Sequence, residues 1–478
     1  MLIGAGSFKE IAMHGPGLCT RVMVLLMAVG AAGCLPNRMA ISPDGQTLYF
    51  AVNADAHVSG GGNSNVYALD VGGGRIRALS GGPGLKGCCS LSTNGRYLAY
   101  SQKQNEGEMV VQIVDLKETS DGNTVAGTGS LISRAYAWLI PTSDAEDAMP
   151  DFLVMKPVDI RNEAWEWALI RDGAELPLSL PPESIAVFGN VGLAKDQFAL
   201  AVWQVTETSA STSEKKMKQS RAVYTMHLGT PQSREATLVA TWEGGSYMDR
   251  VDLAYTADGK RLVVAVDENG SENPTRFYEL DPSCKLPPKV LFEAVGGAEP
   301  QWTPEANGIV YIQTNPVNPA WRNVVLRRLD AKEPTVLAHL PQLGREACTA
   351  WFWLKDGRLR IYHVSDEGIR LIETGADGKD AKGRLLPHDR LKAQVALADL
   401  ARALKGFPQA MKTVEPPGVL AEKFSAITAP AYDGIRRSER AMDALWKGAE
   451  VWDDVPAMPP VPVPPKATPP ATATTPAK

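Results

Sequence analysis

The sequence predicts an all-β chain, a seven-bladed β-propeller that carries a C-terminal α-helical extension and a disordered, Pro-rich tail. Three observations lead there. A unit made of an apolar stretch, a Ser-Pro-Asp-Gly-type turn and an apolar strand recurs at a spacing of about 50 residues. Gly 43 and Pro 35 in 478 residues make the chain turn-rich, as many short strands require. Hydrophobic residues at 44% and charged residues at 22% suit a folded core and argue against disorder throughout. The 49 Lys and Arg against 54 Asp and Glu give a net charge of -5, without a basic block able to track a phosphate backbone. Composition therefore argues against nucleic acid as a partner.

In chain order, the first element is an apolar run from Val22 to Ala32 behind Arg21. It is roughly half the length of a membrane-spanning helix, which makes it the apolar region of a signal peptide covering residues 1–33. Ala31-Ala32-Gly33-Cys34 resembles a bacterial lipobox, which implies a lipidated Cys34 at the mature N-terminus and a protein anchored in the bacterial cell envelope. Leu35 rather than Asp follows that cysteine, and by resemblance to enterobacterial sorting this implies the outer membrane, facing the periplasm. Four other cysteines of the mature chain, Cys88, Cys89, Cys284 and Cys348, are open to disulfide pairing or to a life as buried thiols. None has zinc-type spacing.

The propeller is assigned to residues 34–387. Its repeat reads AISPDGQTLYFAV (Ala40 to Val52), SLSTNGRYLAYS (Ser90 to Ser101), AYTADGKRLVVAV (Ala254 to Val266), QWTPEANGIVYI (Gln301 to Ile312) and WLKDGRLRIYHV (Trp353 to Val364). Pro43 presets φ, Asp44 can cap its own backbone and Gly45 takes the positive φ that closes a hairpin. A third strand ending near Asp follows each hairpin, as in NVYALD (Asn65 to Asp70) and FYELD (Phe277 to Asp281), and a fourth often follows that. Four strands per repeat make a propeller blade. The long interval between Ser92 and Thr256 holds the polar stretch Gln204 to Arg221, expected to be an exposed loop. Setting that stretch aside leaves room for two further blades, one around Ala135 to Ile140 and one around Ile185 to Ala194. The count is then seven, with six or eight as alternatives. Trp165, Trp167, Trp351 and Trp353 are expected to pack between blades.

The Ser-Pro-Asp-Gly hairpin followed by a strand of the Ile-Tyr-x-x-Asp type resembles the TolB-like propeller family, whose repeats are related to Trp-Asp repeats. The resemblance rests on the five units quoted above. It implies a non-catalytic ring that binds proteins at the periplasmic face of the envelope. Cys34 lies only a few residues before the first blade, which leaves no room there for the separate N-terminal α/β domain of TolB itself.

Beyond the ring, residues 388–455 form the helical extension. Asp389 is a suitable N-cap for a helix from Arg390 to Lys405, Ala393, Leu397, Leu400, Ala401 and Leu404 form its apolar stripe, and Gly406 is its expected stop. Further helices are expected near Ala421 to Ile427 and Gly434 to Trp452. Residues 456–478, rich in Pro, Ala and Thr, form the disordered tail.

The search for chemistry finds no G-x-S-x-G elbow, H-E-x-x-H, phosphate loop or calcium loop, and no catalytic residue, metal or cofactor is assigned. His57, His227, His339 and His363 fall in different blades and are read as surface or structural histidines. Residues just before the turns of the innermost strands face the central channel, where Arg38, Asp249, Arg250, Glu299 and Gln301 are the candidate ligand-binding residues. The preferred function is a non-catalytic, lipid-anchored envelope scaffold that binds protein partners. The alternative is a propeller enzyme, of lyase or glycoside hydrolase type, with its site in the channel.

Overall fold

Strands that are apolar at nearly every position, such as Thr47–Asn53 (TLYFAVN), must be covered on both faces. The computed structural model shows how. It describes residues 39–53, 64–82, 84–103, 109–117, 124–125, 136–139, 150–159, 164–171, 174–178, 180–181, 184–186, 191–194, 197–208, 216–227, 236–244, 250–267, 274–341, 348–412 and 452–463.

Seven antiparallel sheets follow one another along the chain. Blade 1 is β1 (Ala40–Ile41), β2 (Thr47–Asn53), β3 (Ser64–Asp70) and β4 (Ile76–Ala78). Blade 2 is β5 (Leu85–Leu91), β6 (Tyr97–Lys103), β7 (Met109–Asp115) and β8 (Thr124–Val125). Blade 3 is β9 (Tyr136–Leu139), β10 (Phe152–Asp159), β11 (Ala164–Arg171) and β12 (Ala174–Pro177). Blade 4 has a split first strand, β13 (Ser184–Ala186) and β14 (Gly192–Leu193), then β15 (Gln197–Thr208), β16 (Lys216–His227) and β17 (Thr237–Glu243). Blade 5 is β18 (Val251–Tyr255), β19 (Leu262–Asp267), β20 (Pro274–Leu280) and β21 (Lys289–Val295). Blade 6 is β22 (Ala298–Trp302), β23 (Gly308–Thr314), β24 (Trp321–Arg328) and β25 (Thr335–Pro341). Blade 7 is β26 (Cys348–Trp353), β27 (Leu359–Ser365), β28 (Gly368–Thr374), β29 (Lys382–Pro387) and a fifth strand, β30 (Asp453–Val455). Between β29 and β30 comes helix α1 (His388–Lys412). The seven-bladed propeller expected from the repeats is the fold observed, and the two degenerate blades lie where the spacing placed them.

Each core cluster belongs to one seam between neighbouring blades. Leu48 and Phe50 pack toward blade 7 with Tyr362 and Leu371, whereas their neighbours Tyr49 and Ala51 pack toward blade 2 with Leu98 and Tyr100. The strand period of two thus divides each central strand between two seams. Trp167 lies between blades 3 and 4, and Trp351 and Trp353 between blades 6 and 7.

The turn chemistry repeats faithfully. In blade 1 the Ser42 hydroxyl accepts from the Thr47 N–H at 2.8 Å and donates to Asp44, whose carboxylate also accepts the Gln46 N–H at 3.0 Å. Thr256 and Asp258 do the same in blade 5. Gly45 and Gly259 both sit at φ 70. Their carbonyls face the preceding blade: Gly259 O accepts from Gln197 Nε2 at 2.6 Å, and Gly45 O from Arg360 Nη1 at 2.6 Å and the Tyr362 hydroxyl at 2.9 Å.

Three expectations need correction. Gln204 to Arg221 is not simply an exposed loop, because both its ends extend the β15–β16 hairpin, which pairs from Gln197↔His227 to Thr208↔Lys216. Gln204 is buried, and Arg221 is the largest fully buried side chain among the described residues. Helix α1 runs past both Gly406 and Pro408 to Lys412, so the expected stop at Gly406 does not end it. Asp453–Val455, placed in the helical extension, is instead a strand on β29, and Pro456 to Val463 continues from it with Ala457 buried in the blade 6–blade 7 core. The expected helices between residues 421 and 451, and the tail beyond residue 463, lie outside the described residues.

Candidate functional site

The innermost strands of blades 5 and 6 carry a compact charged cluster at the end opposite the turns. Arg250 stands just before β18, Asp252 points from β18 itself, and Glu299 lies on β22. Arg250 Nε meets Asp252 at 2.8 Å and its Nη2 meets Glu299 at 2.7 Å. The Glu299 N–H donates to the same Asp252 oxygen, Oδ2, at 2.8 Å. That bond requires β22 to bulge, and the register slips between Ala298 and Gln301 while Glu299 adopts φ 54. A bulge commonly re-aims a side chain in this way. Cys88 adopts φ 60 at the matching place in blade 2, so the bulge recurs in the repeat.

Electrostatically, Asp252 is nearly fully buried and Arg250 is its counter-ion. Burial opposes the charge on Arg250, but Asp252 and Glu299 outweigh it and raise the guanidinium pKa. Burial raises the Glu299 carboxyl above its usual range while Arg250 pulls it down. Arg322, at the start of β24, donates to the Thr314 hydroxyl; burial and the neighbouring Arg250 lower its pKa. The cluster is therefore an ion-pair node joining two blades, in which two carboxylates share one guanidinium.

Of the five channel candidates, Arg250 and Glu299 are in direct contact, and Gln301 lies half-buried further along β22. Arg38, Asp249 and the lipidation candidate Cys34 fall outside the described residues. Asp252 was missed, although a charged residue in the otherwise apolar VDLAY of β18 is the available signal. His363 is buried: its Nε2–H donates to Pro341 O at 2.8 Å, and its Nδ1 contacts the Thr349 hydroxyl at 3.0 Å. His339 contacts Asn323 at 2.9 Å. Cys88, Cys89, Cys284 and Cys348 are free thiols. Among the described residues no group of His, Cys, Asp and Glu could hold a metal ion.

A second feature lies on the outer rim of blades 4 and 5. Leu238 of β17 is 48% exposed, Leu286 in the turn before β21 70%, and Val290 and Val295 of β21 52% and 58%. The Cys284 thiol donates to Leu238 O at 3.3 Å, bringing the β20–β21 turn against the outermost strand of blade 4. Lys285 and Lys289 flank Leu286.

No family model and no curated protein matches the chain. Solved structures similar to it include TolB from Acinetobacter baumannii, at 11% identity over 71% of this chain and 63% of that one, with a TM-score of 0.41. A prolyl endopeptidase is similar at 14% identity over 77% of this chain and 55% of that one, TM-score 0.46. Oligogalacturonate lyase from Vibrio parahaemolyticus is similar at 13% identity over 73% and 78%, TM-score 0.36. The chain spans about 63% of the length of the Acinetobacter TolB that it resembles.

Proposed function

We propose that the chain is a non-catalytic scaffold of the bacterial cell envelope, anchored by lipid at Cys34, whose propeller binds a protein partner through the rim of blades 4 and 5. The observation that carries this reading is the apolar rim itself. Leu238, Leu286, Val290 and Val295 stand exposed on the outermost strands of blades 4 and 5 and the turn before β21, the Cys284 thiol links that turn to Leu238, and exposed apolar side chains gathered in this way mark protein contact sites. A photo-crosslinking residue at Leu286 or Val290, in the membrane-bound protein, should yield one adduct of defined mass. The same probe at exposed Lys332 of blade 6 should yield none, and equal labelling at all three positions would count against the rim. Separately, Cys34→Ser should move the protein from the membrane to the soluble fraction and abolish labelling by a fatty-acid analogue.

The raised Glu299 carboxyl beside Arg250 favours a second reading, a propeller enzyme working at the inner-strand cluster. Turnover of a polysaccharide by the wild type that Glu299→Gln abolishes, without loss of stability, would establish it.

A further inference from the structure

Six of the seven seams are crossed by the chain itself, because the outer strand of one blade leads into the innermost strand of the next. The seventh is not. Blade 1 is complete from β1 to β4 and blade 7 takes its strands from β26 to β30, so no strand is shared between them.

We propose that α1, braced at its start by β30, forms a clasp that closes the ring at the blade 7–blade 1 seam and can release while the other six seams stay folded. This goes beyond the scaffold reading and does not depend on it.

The helix begins where β29 ends, with the His388 N–H donating to Glu367 O at 2.9 Å. It packs on β28 and β29 and then on β4 of blade 1. Leu391, Val395 and Ala398 share one helical face and are buried in a single cluster with Phe50 and Tyr67 of blade 1 and Leu371 and Leu386 of blade 7. Among the described residues this is the seam core that contains a helix, and it is the seam without a chain crossing.

Polar contacts secure the far end. The Tyr67 hydroxyl donates to Asp399 at 3.0 Å, and Arg402 Nη1 donates to Leu79 O at 3.0 Å. Beneath them lies buried Lys86 of blade 2, whose Nζ donates to Gly82 O at 2.9 Å; burial and then Arg402 lower its pKa to about 8, and Asp399 offsets only part of that. The strand secures the near end. Arg390 Nη1 meets Asp453 at 2.7 Å, Leu385↔Asp453 through Gly383↔Val455 pair on β29, and Arg370 donates to Pro456 O at 3.2 Å. The segment then reaches blade 6, where Asn318 Nδ2 donates to Pro462 O at 2.8 Å. The clasp thus has its own contacts at both ends and a small apolar middle, the arrangement of a unit that opens locally.

Amide hydrogen exchange read by mass spectrometry on the full chain tests this. Val395→Asp should remove protection from α1 and raise exchange in β1 to β3 and in β27 and β28 by roughly tenfold or more, while β18 to β24 stay as in the wild type. Leu391→Ala should give the same pattern at smaller amplitude, and serves if Val395→Asp does not fold. A released helix with unchanged seam strands would overturn the proposal. So would a uniform rise across all blades, or failure of both variants to fold, since either would place α1 in a core common to the whole ring.

Discussion

At the scale of single residues the propeller depends on its turns, where Ser or Thr in first position and Asp in third satisfy the N–H groups that a tight hairpin leaves free. Gly259 is constrained twice, by φ 70 and by its neighbours, because a Cβ there would lie 3.0 Å from Gln197 Nε2 and 3.3 Å from Ala194. Gly259→Val should therefore cost about 2 kcal/mol in urea melts; an effect near zero would deny the turn its role. Blade 6 shows the converse. Its turn reads Thr-Pro-Glu-Ala-Asn-Gly, and Ala306 occupies the left-handed position at φ 54, so Ala306→Gly should stabilise the protein by a few tenths of a kcal/mol to about 1. His363 supplies an acid-sensitive term. Burial pushes its pKa from 6.5 down to about 4, so between those values the unfolded chain takes up a proton that the folded chain refuses. Its contribution is complete above about pH 6.5, is lost as pH falls toward 4, and amounts to about 3 kcal/mol. Unfolding free energies of wild type and His363→Gln between pH 7 and pH 4 should converge by that amount, whereas parallel curves would contradict the assignment.

At the scale of elements, sequence reading succeeded wherever the local chemistry was distinctive and failed where burial came from another blade. The Asp-Gly and Asn-Gly turns located five of the blades directly, and the repeat spacing located the other two. Nothing in the polar stretch Gln204 to Arg221 announces burial, because the partner of Arg221 is a backbone carbonyl of blade 5: its Nη1 donates to Asp267 O. A long-range acceptor of that kind leaves no mark in the sequence around the donor. Arg221→Ala should cost about 2 kcal/mol through lost packing and a lost charged hydrogen bond. Deleting Gln204 to Arg221 should lower the melting temperature far more than removal of a surface loop would, and a change of only a few degrees would restore the loop reading. The strand β30 was equally hidden, since Asp453-Asp454-Val455 has no strand character of its own and pairs only because β29 offers an edge.

At the scale of the whole molecule, the ring is seven seams, each an apolar core pinned by a few polar contacts. The charged node of blades 5 and 6 is the pin with the most at stake, since Asp252 is buried with its charge and depends on Arg250. Sequence reading found Arg250 and Glu299 from their place on the innermost strands, but their distance of 2.7 Å depends on the bulge at Glu299, which no local pattern encodes. Whether the node is a pin or a reactive site can be decided by a mutant cycle. Arg250→Met leaves Asp252 buried without its counter-ion and should cost about 3 kcal/mol. Adding Asp252→Leu removes the stranded charge, so the double variant should recover most of that loss. A node that only joins blades predicts full recovery of fold and of partner binding at the rim, because neither charge meets a ligand. Restored stability with a lost activity would instead make the cluster a site of chemistry and would favour the enzyme reading over the scaffold.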